Sequence, residues 1–126
     1  MLAKFRDYLK TLNVAENYYL GKIVNETEKT LGVYSNPSFA RVEAIGRDSS
    51  YDIAGFMLLL HWNKNARESE EAARDLYQKI RYILDQDMDG FYVHMVDLQN
   101  GEPAFIGTDD NGVYEFSMTG RLFYRR

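Results

Sequence analysis

The chain has 126 residues, 45% of them hydrophobic and 27% charged, with no cysteine and a formal net charge of −4. That length suits one ordinary domain, residues 1–126, and the balance is that of a soluble globular protein. The lack of cysteine excludes disulfides, thiolate metal sites and thiol catalysis, and it suits a reducing cytosol.

Leu2, Phe5, Leu9 and Leu12 recur at helical spacing, which predicts an amphipathic helix over residues 2–12. The opening residues lack the unbroken apolar run of a signal peptide. Asn17 to Ile23 reads as a strand, and the polar stretch Asn25–Lys29 turns it into a second strand, Thr30 to Tyr34. Ser35–Ser38 is a loop, with a short strand at Ala40–Ile45 after it. Tyr51 to Trp62 carries the clearest strand pattern, with Phe56, Leu58, Leu60 and Trp62 on one face and Ile53, Met57 and Leu59 on the other. Both faces are apolar, so both need cover. One helix layer covers only one of them, and another subunit is the natural cover for the second. The run Ile53–Leu60 is far too short to span a bilayer, so no membrane association is expected.

Asn65 with Glu68 three residues later resembles a capping box, with Asn in place of Ser or Thr. Ala72, Leu76, Ile80 and Ile83/Leu84 then predict a helix over 66–84. Phe91–Leu98 and Val113–Tyr124 read as strands, the last with the alternation of a half-buried antiparallel strand. The resulting fold class is α+β, a mostly antiparallel sheet with two helices packed on it.

Charge is segregated along the chain. Residues 82–120 hold eight acids (Asp85, Asp87, Asp89, Asp97, Glu102, Asp109, Asp110 and Glu115) and no Lys or Arg. Aromatic and aliphatic residues interleave with them, so the segment folds and its acids gather on a surface. Such a surface repels phosphates and disfavours DNA binding.

The motifs that suggest chemistry each have a plainer reading. Asp85-Gln86-Asp87-Met88-Asp89-Gly90 matches the first half of a calcium loop, but Val96 stands where the bidentate carboxylate belongs. A solvated turn is the better account. His61 and His94 sit between apolar neighbours without a zinc-ligand set around them. Thr108-Asp109-Asp110-Asn111-Gly112 reads as a surface turn before it reads as an acid–base pair. There is no nucleophile elbow, no phosphate-binding glycine loop and no sign of a cofactor or metal. Ten tyrosines either serve partly wet interfaces or finish the edges of a small core.

Several segments together carry a family likeness. They are Gly21-Lys22-Ile23, Gly32-Val33-Tyr34, Ser50-Tyr51, His61-Trp62-Asn63-Lys64-Asn65 leading into Glu70-Glu71-Ala72-Ala73, and Gly107-Thr108-Asp109-Asp110-Asn111-Gly112-Val113-Tyr114-Glu115. In that order, over nearly the whole chain, the sequence resembles the minor capsid proteins of long-tailed bacteriophages and prophages, a group similar to tail terminators. The His-Trp-Asn-Lys-Asn block and the Gly-Thr-Asp-Asp-Asn-Gly turn are its most specific parts.

The resemblance implies a virion protein of the neck, assembled in the host cytoplasm into a homo-oligomeric, typically hexameric, ring. That ring contacts the tail tube protein and the head connector or stopper, with no catalytic residues to carry over. The ending Phe123-Tyr124-Arg125-Arg126 departs from the acidic residue expected near the last arginine. For such a ring the candidate subunit interface is Phe56, Leu58, Leu60 and Trp62 with Arg121, Arg125 and Arg126. DNA passes through without specific binding, and the candidate lumen-facing acids are Asp85, Asp87, Asp89, Asp109 and Asp110. Solvated turns on an outer rim are the plainer alternative for these. A neighbouring stopper role, and a small acidic ligand- or metal-binding domain or enzyme, are the competing functional readings.

Overall fold

A computed structural model describes residues 1–21, 27–37 and 51–125. The strand expected at Ala40–Ile45, the turn residues Asn25 and Glu26, and Arg126 lie outside the described residues. The elements in chain order are α1 (Leu2–Thr11), β1 (Asn17–Leu20), β2 (Thr30–Ser35), β3 (Asp52–His61), α2 (Ala66–Arg81), β4 (Leu84–Met88), β5 (Phe91–Leu98), β6 (Ala104–Thr108) and β7 (Tyr114–Arg125).

The strands form one sheet in the order β1-β2-β3-β7-β5-β4. β7 holds β3 along one edge, with partners from Asp52↔Tyr124 to His61↔Glu115. Its other edge is shared, with β6 paired near Tyr114–Ser117 and β5 near Gly120–Arg125. Every described pairing is antiparallel except β1 with β2, where Asn17 faces Thr30 and Leu20 faces Val33. The expectation that the segment before Thr30 simply folds β1 back on β2 is therefore corrected. The parallel register is held by the N–H groups of Glu16 and Asn17, which donate to the Lys29 carbonyl at 2.9 and 3.2 Å. The Tyr18 hydroxyl anchors the strand's entry by accepting from Val14 and Ala15 N–H at 3.0 and 2.8 Å.

Register sorts side chains to faces, because paired residues share a face. Leu31 and Val33, Phe56, Leu58 and Leu60, and Met118 and Leu122 all lie on the inner face and are fully buried. α1 covers part of that face with Phe5 and Leu9, and the Phe5 and Phe56 rings sit 5.0 Å apart. α2 covers another part with Ala73, Leu76, Tyr77 and Ile80. Each such aliphatic or aromatic side chain contributes roughly 1.5–3 kcal/mol by leaving water. The sheet curls around α1, which touches β1 and β2 on one side and pairs Lys4 with Asp89 after β4 on the other.

Two strands escape the sequence pattern. The expected helix over 66–84 stops at Arg81, and β4 follows, its Leu-Asp-Gln-Asp-Met offering no apolar alternation. Met88 and Phe91 are partners across Asp89 and Gly90, whose φ angles are 51° and 94°. Positive φ at both central residues makes a type I′ hairpin, for which Asp-Gly is a favoured pair. The half calcium loop is thus an edge strand and its turn. β6 is a short strand with an irregular register at Ile106.

Candidate functional site

The two most specific segments of the family likeness meet in space. His61, at the end of β3, is fully buried, and its Nε2 lies 2.7 Å from Asp109 Oδ2. Its Nδ1 lies 2.9 Å from the Thr27 carbonyl. Carbonyl and carboxylate oxygens only accept, so the ring is the donor in this corner. Asp109 Oδ1 also accepts from the N–H groups of Asn111 and Val113 at 2.8 and 2.9 Å, closing the β6–β7 turn. These bonds hold the Asp109 carboxyl below the ordinary value of 3.8, the His61 bond being the largest cause. Backbone bonds seal the same corner: Lys29 N–H to the Trp62 carbonyl, Trp62 N–H to Tyr114, and Tyr114 N–H to Asn63.

The rest of the His-Trp-Asn-Lys-Asn block builds the start of α2. Asn65 Oδ1 accepts the Glu68 N–H at 3.0 Å, the forward half of the expected capping box. The return half is taken over by Asn63. Its Oδ1 accepts the Asn65 N–H, and its Nδ2 donates to Glu68. As an acid–base pair His61 and Asp109 are closed, since both ring nitrogens are engaged and the ring is out of solvent. Among the described residues no group of three or more His, Asp or Glu is placed to hold a metal ion. No described helix is long and apolar enough to cross a membrane.

The acids do not gather on one surface. Asp85, Asp87 and Asp89 lie on β4 and its turn, beside the Arg125 end of β7, while Asp109 and Asp110 lie at its Tyr114 end. At 3.3 Å per residue the two turns are about 35 Å apart. Asp109 cannot serve as a lumen-facing charge, because His61 and the turn's own N–H groups use both of its oxygens. Asp89 pairs with Lys4, and Asp85, Asp87 and Asp110 stand exposed.

The candidate interface also needs correction. Phe56, Leu58 and Leu60 are fully buried beneath the chain's own helices, and no neighbour reaches them. Trp62 is half-buried, with Lys29 over its ring. Arg121 is not free either, since its guanidinium reaches Asp97 at 2.6 Å. Arg125 lies over the Tyr92 ring, and Arg126 is outside the described residues. On the other side of the sheet no helix lies among the described residues. There Ile53, Phe123, Met95 and Leu84 are successive partners across β3, β7, β5 and β4, forming one cross-strand apolar row. Leu84 is 68% exposed and Met95 43%. The alternation in β3 announced this second face, but nothing in the spacing says which of two apolar faces a helix covers. A groove of about 930 Å³ opens elsewhere, between the first turns of α2 and β6, floored by Phe105, Tyr114 and Phe116.

Among the described residues, fold and surface thus define an α+β domain whose two helices pack on one face of the sheet, while the other face carries an apolar row with no described helix over it. Residues 7–122 match the family model described as bacteriophage tail terminator protein, and the chain belongs to that family. No curated protein matches the chain. A solved structure 15% identical to it is similar with a TM-score of 0.42, over 97% of this chain and 86% of the other.

Proposed function

We propose that the protein is a structural subunit of the phage neck that assembles into a ring, closes the tail tube and joins it to the head connector, with no enzymatic activity. The observation that carries this reading is the open sheet face, where the row Ile53, Phe123, Met95, Leu84 crosses four strands with no described helix over it. Apolar surface left in water is unfavourable by about 25 cal/mol per Å². A contiguous patch of it marks contact with other chains. Family membership supports the choice of chains: further copies of this one, the tail tube and the connector. The ring assembles in the host cytoplasm before it enters the virion. A DNA conduit passes the duplex without gripping it, and exposed carboxylates serve that purpose by repelling phosphates. Asp85 and Asp87 on β4, or Asp110 in the β6–β7 turn, are the acids for that lumen.

The test has two arms. Native mass spectrometry of the protein, alone and with isolated tail tubes, is expected to give a closed oligomer in at least one condition. Particles made without the protein are expected to show tubes of unregulated length that do not join heads. A protein that stays single in both conditions, or normal tails on heads in its absence, overturns the reading.

A further inference from the structure

Among the described strands β6 pairs with β7 alone, and no described strand lies along its other edge. An edge of this kind presents unpaired N–H and C=O groups and is a template for a further strand. Phe105 and Ile106 on β6 are 57% and 56% exposed. Phe105 shares a face with its partner Phe116, and the two rings help to floor the groove beside α2. Large apolar side chains left in water on an unpaired edge mark a place of contact.

Charge decides which partner fits. Glu102 and Asp110 stand exposed, four residues before and four after Ile106. Neither has an ion-pair partner among the described residues. Arg74, on the α2 wall of the groove, is already paired with Glu70 at 3.1 Å. Two copies paired antiparallel about Ile106 would set Glu102 of each opposite Asp110 of the other. Like charges at both ends oppose that pairing. No shift of register brings in a cation, because residues 82–120 hold no Lys or Arg. The irregular register at Ile106 blunts the edge further against its own copies.

We infer that the β6 edge takes up a short extended segment of the tail, with an apolar side chain beside Phe105 and Lys or Arg at both ends. This rests on the tail-joining part of the proposed function and names the surface that does it. The tail is the partner that the family's description names. In strand addition the main-chain hydrogen bonds supply affinity and the side-chain pockets supply specificity. The cations meet Glu102 and Asp110, which sets the register and turns away copies of this chain. Asp110 then belongs to this contact, and Asp85 and Asp87 remain for the lumen.

Hydrogen exchange of the full chain, alone and on isolated tails, tests the contact. Slower exchange at residues 104–108 is expected on the tails and not in the protein alone. Slowing without tails would give the edge to a second copy and overturn the inference. Glu102→Lys or Asp110→Lys alone makes the edge complementary to itself, and each is expected to self-associate beyond the wild type in sedimentation. The double variant is expected not to, and to bind tails about tenfold more weakly. Single variants that associate no more than the wild type would overturn the guarding role of the two acids. Both residues are exposed, and circular dichroism of each variant confirms that the fold is kept. If the wild type binds tails with residues 104–108 unchanged and the double variant binds as tightly, the contact is wrong and the proposed function stands. If the wild type does not bind tails, the tail-joining reading fails and takes the contact with it.

Discussion

His61 and Asp109 stand 48 residues apart in sequence and 2.7 Å apart in space, and their pairing ties the end of β3 to the β6–β7 turn. Asp109's folded value is depressed, so its contribution is present above the ordinary 3.8 and is lost as pH falls through the folded value. Wild-type stability is therefore expected to drop more steeply than that of Asp109→Asn between about pH 5 and about pH 2, narrowing the gap seen at neutral pH. His61→Ala strands the Asp109 carboxylate and the Thr27 carbonyl, and is expected to cost about 2–4 kcal/mol. Urea melts across the pH range check both.

Gly120 is the inner-face residue of β7 that lies opposite Phe56. A methyl group there would sit 2.6 Å from the Asp97 carbonyl oxygen and 2.9 Å from Phe56 Cζ. The carbonyl is part of the neighbouring strand and yields little. Gly120→Ala is expected to destabilise by about 1–3 kcal/mol through overpacking. An unchanged urea midpoint would mean that the strands separate more easily than their register suggests.

Asn65 starts α2 by accepting the Glu68 N–H. Asn65→Ala is expected to lose about 1 kcal/mol, and Asn65→Asp to keep most of the stability, since an aspartate cap offers the same acceptor. Thermal melts of the two variants separate the loss of the cap from the loss of the side chain's bulk.

Asp85, Asp87 and Asp89 lie along an edge strand and a two-residue turn, not around a common centre. Melting curves with chelator and with millimolar calcium are expected to superimpose. A saturable upward shift with calcium would show that the hairpin rearranges into a cation loop.

Both helices and the two strongest strands were legible because their apolar residues recur at the right period. Phe5 and Leu9, then Leu76 and Ile80, mark faces that are fully buried. β4 was not legible, because an edge strand with both Asp85 and Asp87 in it has no apolar rhythm to read. The parallel pairing of β1 with β2 was hidden as well, since partner choice is a long-range matter that no local turn encodes. At the candidate site, apolar spacing announced two faces for β3, but the face assigned to a neighbour belongs to the core. The His61–Asp109 bond joins two segments that are far apart in the sequence and each legible only on its own. Only the closure of β3 against β7 brings them together.

The strand made last is the one in the middle. β7 comes after every other described strand, yet it holds β3 on one edge and both β5 and β6 on the other. While the chain is still emerging from the ribosome, β1–β2–β3 and the β4–β5 hairpin have no common partner, and the inner edge of β3 lies bare. Three of the six described strand pairings wait for that single late step, and such non-local closure slows folding. The same delay exposes the apolar strand Ile53–Leu60 to other nascent copies at the moment of highest local concentration. Synthesis of this protein in quantity is therefore expected to gain from chaperones that shield that strand until β7 is made.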